Sequence, residues 1–145
     1  MFKHILLAAD GSPASETAAR RCIAFAREIG ARVTALHVVP QLHTFTYEPG
    51  ATEEAHEQFR RNRDKASHSV LDPIVQLAGE AGVPCTALLS AADEPYQAII
   101  ETARDEGCDL IAMTSHGHRG IGAVLLGGQT QKVLTHSAIP ALVYR

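Results

Sequence analysis

The feature that most limits what this chain can fold into is an unbroken apolar run, Ile5-Leu6-Leu7-Ala8-Ala9, followed at once by Asp10-Gly11-Ser12-Pro13. A strand with no polar alternation is buried on both faces, the habit of strands in parallel sheets covered by helices. Ser12 is a good N-cap and Pro13 suits the first helical position. Ala18, Cys22, Phe25 and Ile29 follow at helical spacing, and Gly30 stops the helix. A second apolar run, Val33 to Val39, ends at Pro40. Strand, helix and strand this close together make a βαβ unit, so the strands are parallel and the crossover is right-handed.

The same alternation continues down the chain. Gln41 to Ala51 reads as a loop, and Thr52 is expected to cap a long helix with Glu53 and Glu54 in its first turn. Pro73 should kink or restart that helix, which ends near Gly82. The run Arg60-Arg61-Asn62-Arg63-Asp64-Lys65 reads as a solvated face. Cys85 to Leu89 forms a short strand, and Pro84 at its start suits a sheet edge. Asp93 is expected to cap a further helix with Tyr96, Ile99, Ile100 and Ala103 as its buried stripe and Gly107 at its close. Leu110-Ile111-Ala112-Met113 is another buried strand, and a last helix runs from about Thr130 to His136. Ala141-Leu142-Val143-Tyr144 is the final strand, with Pro140 marking a second edge. Five strands alternating with four helices make a doubly wound α/β sheet in a single domain of 145 residues.

Composition removes several function classes. A net charge near −3 argues against nucleic-acid and membrane-surface binding, both of which call for a basic patch. No apolar run approaches the length of a membrane span, and the N-terminus reads as a first strand, not a signal peptide. Cys22, Cys85 and Cys108 are odd in number, widely spaced and set in apolar patterns, so buried reduced thiols in a cytoplasmic protein are expected.

The chemistry concentrates after the fourth strand, where the chain turns into a glycine-dense loop holding Gly117, Gly120, Gly122, Gly127 and Gly128 before a helix begins. Strand, glycine loop and helix N-terminus together bind phosphates, because glycines let N–H groups approach closely and the helix end offers unpaired donors. No Gly-Lys-Ser/Thr follows, so this is not a Walker loop, and the glycine spacing fails the dinucleotide fingerprint. His116 and His118 flank Gly117, but two imidazoles without a third ligand make a poor metal site, so none is assigned. Asp10, at the carboxyl end of the first strand, faces the cleft where ligands bind in open α/β sheets, or serves as a turn residue.

Ser115-His116-Gly117, nine residues, Gly127, then a helix and the strand Ile139 to Tyr144 resemble the C-terminal signature of the universal stress proteins. The family's nucleotide-binding form reads Gly-x-x-Gly, nine residues, Gly-Ser/Thr. Gly117 and Gly127 fall on the second and third glycines, whereas Thr114 replaces the first and Gly128 replaces the Ser/Thr. Thr130, two residues on, could supply the missing hydroxyl. The resemblance implies a Rossmann-like sheet in the order 3-2-1-4-5 and ATP or AMP as ligand, with Mg2+ bridging its phosphates. It places the ribose hydroxyls at Asp10 and the adenine edge at the main chain of Val38, with Ala9 also among the nucleotide-binding residues. The phosphates would lie along Thr114, His116, Gly117, Arg119, Gly120, Gly127, Gly128, Gln129 and Thr130. It also implies a homodimer through Ala141, Leu142, Val143 and Tyr144. Phosphoryl transfer needs concentrated positive charge, and the loop offers only Arg119 before Lys132, so binding with little or no turnover is expected. The alternative is a ligand-free signalling module of the same fold, its phosphate site spoiled at Thr114 and Gly128.

Overall fold

The computed structural model describes residues 1–41, 53–115 and 127–145. Among them five strands form one sheet: β1 (His4–Ala8), β2 (Arg32–Val39), β3 (Cys85–Ala91), β4 (Leu110–Thr114) and β5 (Ala141–Tyr144). Their order is β3-β2-β1-β4-β5 and every pairing is parallel. The helices are α1 (Pro13–Ile29), α2 (Glu53–Ala81), α3 (Pro95–Asp105) and α4 (Gly128–His136). The doubly wound architecture and strand order are therefore as expected. None of the described helices is long and apolar enough to cross a membrane.

Alternation along the strands sorts side chains between two layers. Ile5, Leu7, Val33, Ala35, Leu110 and Ala112 pack with Cys22, Ile23 and Ala26 of α1 and Leu71, Ile74 and Ala78 of α2. Leu6, Leu36, Ile111 and Met113 point the other way, against Ile99 and Ala103 of α3 and Val133 of α4. Ile5, Leu6 and Ile111 are wholly enclosed; burying a side chain of that size contributes about 1.5–3 kcal/mol. This sandwich holds the strand ends in place.

The sheet edges carry the two prolines as expected. The carbonyl of Pro84 accepts from Val33 N–H and that of Pro140 from Ile111 N–H, each at 2.9 Å. A proline that gives only its carbonyl to the neighbouring strand costs the ladder nothing. Asp109, just before β4, accepts from the main-chain N–H groups of Lys3 and His4 and so ties the starts of β1 and β4 together.

Helix ends and stripes show where local reading fails. In α1, Ser12 caps and Gly30 closes at φ 69°, but the buried face is Ser15, Ala18, Ala19, Cys22, Ile23 and Ala26, not the stripe through Phe25 and Ile29. Small residues let α1 lie close to the sheet, so Phe25 only rims the core and Ile29 is exposed. Pro73 does not restart α2; the helix runs unbroken through it. Leu71, Ile74 and Ala78 lie on one buried stripe spanning the proline, and that burial offsets the hydrogen bond Pro73 cannot make. The N-cap of α3 is Glu94, not Asp93, and Tyr96 is only half-buried, with Ala98 taking its place in the buried stripe. The last helix begins two residues earlier than expected, at Gly128. Cys22 and Cys108 are buried, but Cys85, on edge strand β3, is only half-buried. The expected Thr52 cap and the loop over Phe45 and Tyr47 lie outside the described residues.

At the base of β1, His4 is 6% exposed and its Nε2 lies 2.7 Å from Thr34 Oγ1. Burial, assisted by the charge of Arg32, holds the imidazole pKa below 6.5, against the opposing pull of Glu106 and Asp109. The unfolded chain therefore takes up this proton more readily than the folded one, so stability rises with pH across the interval between the two values. The contribution is complete above 6.5 and lost as pH falls through the lower folded value. Urea unfolding of wild type and His4→Asn on either side of pH 6.5 should show the wild-type advantage shrinking on the acid side. An advantage that does not change with pH would refute this account of His4.

Candidate functional site

The sheet opens at the carboxyl ends of its two central strands. β1 and β4 pair only as far as Leu7↔Ala112, although β1 continues to Ala8 and β4 to Thr114. From there α1 leads away to β2 over one face, and α4 leads away to β5 over the other. Strand order reverses at this point, and in open α/β sheets the crevice forms there.

The first wall is the turn after β1. Asp10 Oδ1 accepts from Ser12 N–H at 2.9 Å, Asp10 N–H donates to Ser15 Oγ at 3.1 Å, and Ser15 N–H donates to Ser12 Oγ at 3.1 Å. Asp10 is thus a turn residue held at the crevice rim. An ionised carboxylate accepts at about four positions, so service in the turn and service to a ligand are compatible. Gly11 makes the turn possible: its φ is 81°, and a Cβ there would lie 2.9 Å from Val70 Cγ2 of α2.

The second wall is the end of β2. In a parallel strand the N–H and C=O of one residue point to the same side. Leu36 C=O accepts from Ala9 N–H, while Val39 C=O accepts from Ala92 N–H, each at 2.9 Å. Even-numbered residues here face β1 and odd-numbered ones face β3. Val38 therefore aims its main-chain groups at the place β1 has already left.

The third wall joins β4 to α4. The chain leaves at Ser115 and returns at Gly127, whose N–H donates to Ser115 C=O at 2.6 Å. Gly127 is the N-cap and no side chain caps it; the first intrahelical bond runs from Gln131 N–H to Gly127 C=O at 3.0 Å. The N–H groups of Gly128, Gln129 and Thr130 precede that bond and have no acceptor within the helix. They sit at its positive end.

Two side chains expected at the phosphates are engaged elsewhere. The Thr130 hydroxyl donates to Thr114 C=O at 2.8 Å and the residue is 4% exposed. It braces the helix start against the strand end, so it does not stand in for the hydroxyl that Gly128 lacks. Gln129 Oε1 accepts from Tyr96 N–H at 2.9 Å and so satisfies the start of α3, a partner no local pattern announces. Both residues keep their main-chain N–H at the site. Lys132 Nζ pairs with Glu94 at 3.1 Å and lies over the Tyr96 ring, turned towards α3. The hydrogen bond from Lys132 holds the Glu94 carboxyl below the usual carboxylate range.

Among the described residues, nothing lies within 4 Å of where a Cβ on Gly128 would stand. Thr114 shares its sheet face with Ala112, on the α1 side. His116, Gly117, Arg119 and Gly120 lie outside the described residues. Among the described residues no group of three or more His, Cys, Asp or Glu side chains is placed to hold a metal. A cavity of about 330 Å³ lies between α1 and α2 on the other side of the β1 turn, lined by Ala9, Gly11, Arg20, Val70 and Leu77 among others, with no residue of α4. Unforeseen in the sequence was His37, whose ring Nδ1 lies 2.8 Å from the Ala9 carbonyl.

The sequence profile of the universal stress protein family matches residues 1–145. The chain belongs to the universal stress protein family. A universal stress protein of Thermus aquaticus is 34% identical over 145 residues, the full length of both chains. The solved structure of MJ0577, a universal stress protein of Methanocaldococcus jannaschii, is 28% identical, with a TM-score of 0.78 over 99% of this chain and 95% of that one. A family member from Arabidopsis thaliana, solved with AMP bound, shares the fold at 18% identity and a TM-score of 0.68, over 97% of this chain and 90% of that one.

In this universal stress protein the turn at Gly11 lies tight against Val70 of α2. Gly11→Ala should destabilise the fold by about 1–3 kcal/mol, from left-handed strain and the Val70 contact. Chemical denaturation with the Val70→Ala background as control checks this. Relief of the cost by Val70→Ala should be partial, because the backbone strain remains; full relief would show that φ plays no part.

Proposed function

We propose that this universal stress protein is a regulatory protein that binds an adenine nucleotide, ATP or AMP, across the crevice with little or no turnover. The observation that carries the reading is the start of α4: three main-chain N–H groups without helical acceptors, behind a glycine cap, at the carboxyl end of the sheet. In this reading Val38 meets the adenine edge through its main chain and Asp10 accepts from the ribose hydroxyls. Gly127 to Thr130, with Gly117, hold the phosphates, and Mg2+ is coordinated chiefly by phosphate oxygens. A family member solved with AMP supports the choice of ligand. The rival reading, a ligand-free module, is favoured by Thr114 and Gly128 alone. That objection is weakened because a missing hydroxyl leaves the Gly128 N–H in place at the helix start.

Isothermal titration of nucleotide-free protein with ATP and with AMP, each with and without magnesium, separates the two. Saturable binding is expected, tighter for ATP when magnesium is present. Gly128→Ser should tighten it roughly three- to tenfold, the worth of one added hydrogen bond. Absence of binding in both wild type and Gly128→Ser would leave only the ligand-free module.

The same reading includes a homodimer through β5. This strand lies at the sheet edge, and Ala141, Leu142, Val143 and Tyr144 are all half-buried in the single chain. An apolar edge strand is a template for a second copy. Sedimentation should give a dimer that Val143→Lys dissociates. A wild-type monomer at high concentration would end this part of the proposal.

A further inference from the structure

The pairing of β1 with β2 stops one rung short, and a side chain sits on the carbonyl at the gap. Ala8 pairs with Leu36, and Ala9 N–H still donates to Leu36 C=O at 2.9 Å. In a parallel ladder the next bond would run from Val38 N–H to Ala9 C=O, pairing Ala9 with His37. That rung is absent: the register ends at Ala8↔Leu36. The Ala9 carbonyl instead meets His37 Nδ1 at 2.8 Å. A carbonyl oxygen has no hydrogen to give, so Nδ1 carries the proton and donates.

The consequence falls on Val38. Its N–H points to the β1 side, where the acceptor next in line is already engaged by an imidazole. A carbonyl at a buried strand end requires a donor, and without His37 the nearest candidate is Val38 N–H itself. We infer that His37 is a positioning residue that stops the β1–β2 ladder: by engaging the Ala9 carbonyl, it keeps the Val38 N–H open for a ring-nitrogen acceptor of a purine base. The role in binding rests on the nucleotide reading above; the ladder stop does not.

Replacing the side chain separates donor chemistry from bulk. His37→Leu removes the donor. In His37→Asn the amide nitrogen stands the same number of bonds from Cβ as Nδ1, and in His37→Gln it stands one bond further out. Amide hydrogen exchange at Val38 in the nucleotide-free proteins, with AMP titrations of each, reads both halves of the inference. The wild type should exchange freely at Val38. His37→Leu should gain protection there as the rung closes, and bind AMP roughly three- to tenfold more weakly. His37→Asn should restore both properties and His37→Gln neither.

Unchanged exchange at Val38 in His37→Leu overturns the ladder stop. Altered exchange with unchanged AMP affinity overturns its role in binding. If the wild type binds no AMP, the nucleotide reading fails while the exchange comparison still decides the ladder stop. Should His37→Leu not fold, equal Val38 exchange in the Asn and Gln variants overturns the inference.

Discussion

In a parallel sheet each residue turns its N–H and its C=O to the same neighbour, so a strand that leaves the sheet strands the groups of the one beside it. Those groups must then meet water, a side chain or a ligand. Here β1 bends away at Asp10 and stops pairing with β4 after Leu7↔Ala112, while β2 and β4 carry on. Most of what is left over finds a partner within the chain. Asp10, Ser12 and Ser15 close the turn, His37 takes the Ala9 carbonyl, Thr130 takes that of Thr114 and Gln129 meets Tyr96. The main-chain groups of Val38 and the first N–H groups of α4 point into the crevice, and the candidate site is made of these.

Main-chain donors are only as well placed as the layers beneath them. The strand ends are fixed by two cores, one under α1 and α2 and one under α3 and α4, in which Ile5, Leu6 and Ile111 are completely enclosed. A site of this kind is insensitive to side-chain identity provided the backbone path is kept. Gly128 illustrates the point, since it forgoes a hydroxyl without disturbing the helix start. Gly11 illustrates the converse, because there the path itself requires a residue without a Cβ.

Much of this was legible in the chain because the causes are local. Unbroken apolar runs announce a covered parallel sheet, Ser12 and Gly30 announce the ends of α1, and Pro84 and Pro140 mark the edges. What escaped has a distant cause. Pro73 stays inside α2 because of what Leu71, Ile74 and Ala78 touch, and nothing at the proline says so. The start of α3 is satisfied by Gln129, 33 residues on from Tyr96, and the cap falls at Glu94, not the nearby Asp93. The phase of the α1 stripe depended on how closely the helix approaches the sheet, which favours Ala19 and Cys22 over Phe25. The Asp10 rim was visible as a turn signal, whereas the bond from His37 to Ala9 spans 28 positions and leaves no pattern.

The arrangement also bears on why binding need not lead to turnover. Main-chain amides at a helix start are fixed dipoles, and they hold a phosphate about as well before reaction as during it. Interactions equal in the ground state and the transition state tighten binding without accelerating chemistry. Acceleration of phosphoryl transfer calls for charge that gains as the bond breaks, usually a lysine or arginine with magnesium. The lysine of α4 is turned away: Lys132 is paired with Glu94 and laid over Tyr96, where it secures α4 to α3. Its charge thus goes into holding the helix start still. In the proposed reading the amides at the start of α4 face the ligand, while Lys132 supports that helix from behind.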